Sequence, residues 1–526
     1  MTARSAAGAV RRALRRTMRR LQANAQLIAH PVAVVRVGWR RGLIGSYPAQ
    51  AKEYRGRVLI FVSGAVGAAV LGSRRRRWVG LGLAVAGCLG GATRVGERRR
   101  RGSRRGWPPG HLTNLPEVAL DRSVLRKAFA RDGSVVKTSA GTRRVAAVLG
   151  LGPGARLLLE HRDRLLPIGY SFSSLVPLGF IRDMAPADHA HYRRVLASAF
   201  TPARTRAFEP VLTAAIDRSV AELLADDRPV SVTAWVEDVL FRAWFEVFTG
   251  VAPDDARYAW LREQYERFDW RGWVSAADVE TSAFAAVSGG FRASVSAWES
   301  EAPEQWPDCV AATLLNDDPV ALDDETLIGN LVILQRTSSA DTHGLVKWVV
   351  HFLTQYPELR DRMRADLTTR AHGGDLSERI VSETLRLEQS EAVHRRLATD
   401  VSHNGYVLPK GWELRICVQE SHRDETVFPD PDRFDPDRFR DHRYTRDQYA
   451  PFGLDNHSCI GESLARLAAR LVAERLVLAA DWVETDPRPT TFGEWRHWAP
   501  DSRWKIQLSA RAAARPDPSE AAVPRR

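Results

Sequence analysis

The sequence predicts a mainly α-helical domain with a small β region, carried behind a basic and partly apolar N-terminal extension. Three observations predict it. Stretches with apolar residues at helical spacing recur near 186–200, 208–225, 325–356, 374–388 and 462–480. Strand-like runs are few and short: Arg143–Leu151, and a pair joined by a Gly-Tyr turn between Thr399 and Trp412. Charge also divides the chain. Of its 76 Lys+Arg and 63 Asp+Glu, residues 1–106 hold 24 bases and two acids, Glu53 and Glu97. The net charge of +13 therefore belongs to the extension, and the body, with 52 bases against 61 acids, is mildly acidic. The body shows no basic, aromatic-interleaved face of the kind that grips nucleic acid.

The extension, residues 1–106, reads as membrane-associated. Residues 4–24 set Val10, Leu14, Met18 and Leu21 on one helical face and three Arg-Arg pairs on the others, a basic amphipathic helix suited to an anionic interface. A solvated charged tail and an organelle transit peptide are the rival readings. Two apolar runs follow, Val58–Gly72 and Trp78–Thr93, bracketed by arginines. Each is about 15 residues, or roughly 22 Å as helix against about 30 Å of hydrocarbon, too short to span comfortably alone. Small residues at helical spacing, Ser63/Gly67 and Gly87/Gly91 among them, allow close packing, so the runs predict a short hydrophobic helical hairpin. A soluble pair of buried helices is the alternative. Glu97–Gly110 is a linker with a proline-rich end, the main domain occupies 107–512, and the Ala/Pro-rich tail, 513–526, is expected to be disordered.

The four cysteines, Cys88, Cys309, Cys417 and Cys459, are scattered, with no CxxC and no Cys/His cluster. Neither a disulfide framework nor a structural zinc site is indicated. Cys459 stands in PFGLDNHSCIGESLAR, between a glycine-containing loop and an obvious helix start. One reading is a small side chain filling a gap. The other is a thiolate bound to iron. A helix N-terminus lowers a thiol pKa, Gly453 and Gly461 permit close backbone approach, and Phe452 is placed to shield the sulfur. These are the parts of a haem-thiolate socket.

Other residues keep it company. Glu383 and Arg386, in SETLRLEQS, lie three apart on one helical face, and Arg433 of Pro431-Asp432-Arg433-Phe434 is expected to complete a Glu–Arg–Arg cluster with them. His189 and Arg193 are i,i+4 neighbours in DHAHYRRVL. With Arg396 in HRRLATDV and His457 beside the cysteine, they offer donors for two carboxylates. Each has the plainer alternative of a surface charge.

The order and spacing of these motifs resemble the cytochrome P450 family. FGLDNHSCIG is similar to its cysteine loop, ETLR to its ExxR pair, PDRF to its arginine-bearing meander and HAHYR to its HxxxR. The resemblance covers roughly 107–510. It implies the cytochrome P450 fold and haem b (iron protoporphyrin IX), with Cys459 as the axial ligand whose electron donation favours O–O cleavage. It further implies propionate contacts from His189, Arg193, Arg396 and His457, and the structural cluster Glu383, Arg386 and Arg433.

The sequence departs from the family pattern in two places. The loop glycine four before the cysteine is Asp455, which puts the turn in question. In the central helix, LVILQRTSSADTHGLVKW, the family's acid–alcohol pair for proton relay falls on Ala340 and Asp341 when aligned without gaps. A one-residue shift recovers Asp341 and Thr342, with Ser338 and Ser339 at the small positions, and requires a local bulge. Under either alignment Asp341, then Thr342, is the expected proton-handling residue, against the alternative of a surface carboxylate. Gln335 and Arg336 face either the substrate pocket or solvent.

The expected function is a haem-thiolate monooxygenase acting on a lipophilic small molecule with O2. Residues 164–181, apolar, lie where the family covers its pocket. No flavin or Fe–S motif is fused, so electrons are expected from NAD(P)H through a separate reductase and a ferredoxin or flavodoxin-type donor. The haem domain is expected to be monomeric and cytoplasmic, on a membrane-associated chain. Two alternatives stand: a P450-type enzyme without conventional O2 activation (oxidative coupling, desaturation, peroxygenase or isomerase), and a non-catalytic membrane-anchored haem protein. High Ala, Arg and Val usage points to a GC-rich bacterial genome.

Overall fold

The computed structural model describes residues 106–511, apart from 111–122 and shorter internal segments of which 268–276 is the longest. The amphipathic helix, the two apolar runs and the tail 513–526 lie outside the described residues. Among those described, no helix is long and apolar enough to cross a membrane.

The long helix Glu325–Gln355 is the axis of the molecule. Asp324 caps its start: one carboxylate oxygen accepts the Thr326 N–H at 2.7 Å, and the other accepts the Tyr192 hydroxyl at 2.6 Å. It stops one residue before Tyr356-Pro357, where the residue preceding a proline is held out of the helical region. Leu331, Val332, Val346, Val349, Val350 and Leu353 are buried along it, packed in one core with the flanking helices Glu209–Leu224, Val232–Thr249 and Glu462–Ala479.

Residues 175–181 lie across this helix. Asn330 fixes them, accepting the Ile181 N–H at 2.7 Å and donating to the Gly179 carbonyl at 3.2 Å. A Cβ at Gly329 would come within 2.7 Å of Val176, so only glycine allows this approach.

The β region is a five-stranded sheet in the order Val135–Ala140, Arg143–Leu149, Glu413–Cys417, Ala392–Leu397, Leu165–Pro167. Only the second and third strands are parallel. The run expected as strand to Leu151 ends at Leu149, because Gly150, at φ 98°, turns the chain into the helix Leu151–Glu160. Val401–His403 and Tyr406–Leu408 form the expected hairpin, turned by Asn404 and Gly405 rather than by Gly405 and Tyr406. Both turn residues have positive φ, 47° and 76°, as a two-residue hairpin loop requires. The chain enters against this region: Trp107 packs edge-on to Trp412, with ring centroids 4.9 Å apart.

Candidate functional site: the cysteine loop and its arginines

The cysteine loop closes on itself. The Cys459 N–H donates to the Phe452 carbonyl at 2.8 Å, and the Ser458 N–H to the Asp455 carbonyl at 3.0 Å. Gly453 sits at φ 103°, where a Cβ would press to 3.2 Å from the Ser458 backbone. It is the residue of this loop that requires glycine. Gly461 does not: its φ is −89°, and a Cβ there would lie 3.9 Å from the Cys459 sulfur, an ordinary contact. Phe452 contributes its carbonyl, and its half-buried ring lies 5.3 Å from the Arg466 guanidinium.

Cys459 is accessible over much of its surface, yet burial pushes its thiol up to about 11. The rise reverses the expected effect of the helix N-terminus. The Gly461 N–H does lower the thiol, but desolvation outweighs it, and the charges of Asp341 and Glu462 add to the rise.

Four further side chains converge beside the loop. His189 is buried, with its ring 4.1 Å from that of His457. Arg193 reaches the Ser458 hydroxyl at 3.3 Å. Desolvation, then Arg193, holds His189 below the ordinary histidine value. His457 is brought down to about 4 by burial, then by Arg395 and His189.

The fourth is Arg395, not Arg396. In the strand Ala392–Leu397 side chains alternate, so Val393, Arg395 and Leu397 share one face. Arg395 is buried and pairs with Asp455, whereas Arg396 is exposed on the other face. Period-two patterning in HRRL carries this signal.

Beneath the loop lies a buried charge cluster. Arg386 donates to both oxygens of Glu383, at 2.7 and 2.8 Å, and Arg438 donates to Glu383 Oε1 at 3.0 Å. The expected third member, Arg433, is exposed and supplies only its carbonyl, which accepts from Arg386 at 3.2 Å. The sequence repeats Asp-Pro-Asp-Arg-Phe, and the second copy's arginine enters. Buried Pro431 and Phe434 turn the first copy's arginine outward.

The long helix runs unbroken from Glu325 to Gln355, without the local bulge that the shifted alignment needs. Asp341 is exposed and acts on the Cys459 thiol, while Thr342 is buried about 100° around the helix. Ser339 ties its hydroxyl to the Gln335 carbonyl at 3.0 Å. Gln335 and Arg336 are both buried, and Tyr265 donates to Gln335 at 2.5 Å.

Several members of the site carried no motif. Ser382, Tyr449 and Arg466 join the ExxR helix to the loop: the Tyr449 hydroxyl donates to the Ser382 carbonyl at 2.9 Å, and Arg466 to the Ser382 hydroxyl at 3.1 Å. His422 accepts the Ala450 N–H at 3.1 Å.

Whether this set suits a haem rests on its donors. An exposed thiol stands beside two arginines and two histidines, and His457 Nδ1 is buried without a hydrogen-bond partner. Among the described residues no group of three or more His, Cys, Asp or Glu could hold a metal ion without such a ring. The residues fit an iron porphyrin with one axial sulfur and two carboxylates.

Residues 301–497 match the Cytochrome P450 family model. Cytochrome P450 88A1 of Zea mays is 30% identical over 183 residues, 32% of this chain and 35% of that protein. Ent-kaurenoic acid oxidase 1 of Arabidopsis thaliana is 30% identical over 189 residues, 33% and 39% respectively. Abscisic acid 8'-hydroxylase CYP707A1 of Solanum lycopersicum is 29% identical over 185 residues, 32% and 37%. The chain thus spans little more than a third of the length of these relatives. Among solved structures, retinoic acid bound cyanobacterial CYP120A1 superposes with a TM-score of 0.64 at 18% identity, covering 77% of this chain and 100% of that one. CYP109Q5 from Chondromyces apiculatus gives 0.60 at 22%, covering 76% and 99%. The sequence relatives are plant proteins and the structural neighbours bacterial, so the expected bacterial source rests on composition alone.

Proposed function

We propose that this chain belongs to the cytochrome P450 family, which the match of residues 301–497 and the shared fold support, and that it is a haem-thiolate monooxygenase acting on a lipophilic small molecule. The carrying observation is the convergence of His189, Arg193, Arg395 and His457 beside Cys459, an exposed cysteine. Ent-kaurenoic acid, abscisic acid and retinoic acid, named for its relatives and neighbour, are lipophilic, which supports the substrate class. The apolar segment 175–181 against the long helix supports it too.

In this reading Cys459 holds the iron of haem b, and His189, Arg193, Arg395 and His457 hold its propionates. The bound haem supplies activation of O2 and insertion of one oxygen atom. The chain supplies the setting. Burial raises the Cys459 thiol to about 11, so binding a metal there as thiolate would be accompanied by loss of its proton. Asp341, exposed on the long helix and near enough for its charge to act on the Cys459 thiol, would be the proton-handling residue. The Glu383–Arg386–Arg438 cluster fixes the meander on which the loop rests. Electrons come from NAD(P)H through separate proteins, a reductase and a ferredoxin or flavodoxin-type donor, to a monomeric haem domain. The N-terminal region attaches it to a membrane, with the haem domain cytoplasmic.

One observation favours a second reading, P450-type chemistry without conventional O2 activation. The helix is unbroken, and Thr342 is turned into the core. Reconstitution with a surrogate ferredoxin, its reductase and NADPH, against a panel of lipophilic acids, distinguishes the two. The monooxygenase reading expects oxygenated product labelled from 18O2. Product formed with peroxide alone, or without label, supports the second.

A further inference from the structure

Asp455 stands where the family pattern has glycine, and its surroundings show what the replacement does. It needs none of glycine's freedom: among the described non-glycine residues only Asn404 and Asp430 have positive φ. Its Oδ1 accepts the His457 N–H at 2.9 Å, closing an Asx turn that its carbonyl completes by accepting the Ser458 N–H at 3.0 Å. Its other oxygen, Oδ2, pairs with Arg395, in a contact that leaves the two side chains 20% and 10% exposed. A second nitrogen of the guanidinium, Nη1, donates to the His394 carbonyl at 2.8 Å. Arg193 donates to the neutral Ser458 hydroxyl, and Asp455 acts on it through space without a hydrogen bond. Arg446, the next cation, is exposed and donates to the Gly453 carbonyl at 3.1 Å.

The permanent charges gathered at this end of the site are therefore two half-buried to buried guanidiniums and one carboxylate. Glycine at 455 would leave two guanidiniums for two propionates. Aspartate takes one of them in advance. Resting on the haem reading above, we propose that Asp455 is a positioning residue that sets the charge of the propionate end, occupying Arg395 and making the site one unit more negative. A charge in a partly desolvated pocket is weakly screened, so it opposes the gain of an electron nearby and weakens the hold on an anionic ligand. The consequence is a ferric state that is harder to reduce and a haem that leaves more readily than the two arginines alone would allow.

Two substitutions move this charge in opposite directions. Asp455→Asn keeps an oxygen for the His457 N–H and removes the negative charge. Arg395→Gln removes the cation and leaves the carboxylate. Each is compared with the parent holoprotein by reductive potentiometry and by haem transfer to apomyoglobin. Asp455→Asn is expected to raise the ferric/ferrous midpoint potential and slow haem transfer severalfold. Arg395→Gln is expected to lower the potential and speed transfer, with the carbon-monoxide difference spectrum unaltered in both. Should Asp455→Asn fail to fold, Asp455→Gly replaces it with the same expected sign. A potential in the position-455 variant equal to or below the parent's overturns the proposal, whatever Arg395→Gln does. A parent protein that binds no haem overturns instead the reading on which the proposal rests.

Discussion

Glu383 and Arg386 form a two-pronged ion pair one helical turn apart, with both side chains wholly buried. The arginine also donates to the carbonyls of His422 and Pro431, at 2.7 and 2.8 Å. The α-helix Asp375–Thr384 widens into a π turn, Leu385–Gln389, as it passes Arg386. The guanidinium thereby joins two distant stretches, one of which, through His422, holds the Ala450 N–H at the base of the cysteine loop.

Arg386→Met leaves Glu383 buried and without its main partner. Breaking a buried pair in this way costs about 3–5 kcal/mol. The expected outcome is a matching fall in urea stability together with loss of bound haem. A variant within about 0.5 kcal/mol of the parent would show that the cluster does not hold the loop.

Arg438 and Arg433 occupy equivalent places in two copies of one pentapeptide, yet only Arg438 reaches Glu383. Arg438→Ala is expected to cost about 2–4 kcal/mol in chemical denaturation, as loss of a partner from a buried charge network does. Arg433→Ala is expected to stay within about 0.5 kcal/mol. Equal effects would contradict the assignment.

These paired positions mark how far the sequence could be read. The helices were legible because their apolar periodicity is long, and Cys459, Glu383, Arg386, His189, Arg193 and His457 because their spacings survive folding unchanged. Arg395 and Arg396, or Arg433 and Arg438, differ only in which way a side chain turns. That is decided by strand alternation and by where Pro431 and Phe434 bury. The thiol differs for another reason: a helix start is visible in sequence, while the desolvation that outweighs it depends on how the folded chain surrounds the sulfur. Asp455 looked like a strained substitute for glycine, but an Asx turn and an arginine on a separate strand accommodate it.

Asp341 and Thr342 are neighbours with different surroundings. Asp341→Asn is expected to lower turnover at least tenfold while leaving substrate-induced spectral change and stability near the parent. Thr342→Val, an exchange in a packed interior, is expected to keep turnover within about threefold. Steady-state kinetics beside substrate titration checks this. A larger loss for Thr342→Val would restore the alcohol to the relay.

His422 sets an acid limit on stability. Burial, then the charges of Arg386 and Arg423, push it down to about 3 from an ordinary 6.5. Between those values the unfolded chain holds the proton and the folded protein does not, so stability rises with pH. Acidification from 7 towards 4 therefore removes up to roughly 1.4 kcal/mol per pH unit through this one group. His422→Gln, which keeps an acceptor for the Ala450 N–H, is expected to show a shallower acid loss in urea midpoints taken at pH 7, 6 and 5. An unchanged slope would mean that His422 is already protonated in the fold.

The proposed bond between Cys459 and iron is tested most directly by the carbon-monoxide difference spectrum of the dithionite-reduced holoprotein. The expected spectrum has the long-wavelength Soret band of thiolate ligation, and Cys459→His is expected to move it to the shorter-wavelength position of a nitrogen ligand. A parent protein that carries no haem, or a band that Cys459→His leaves in place, would contradict the account.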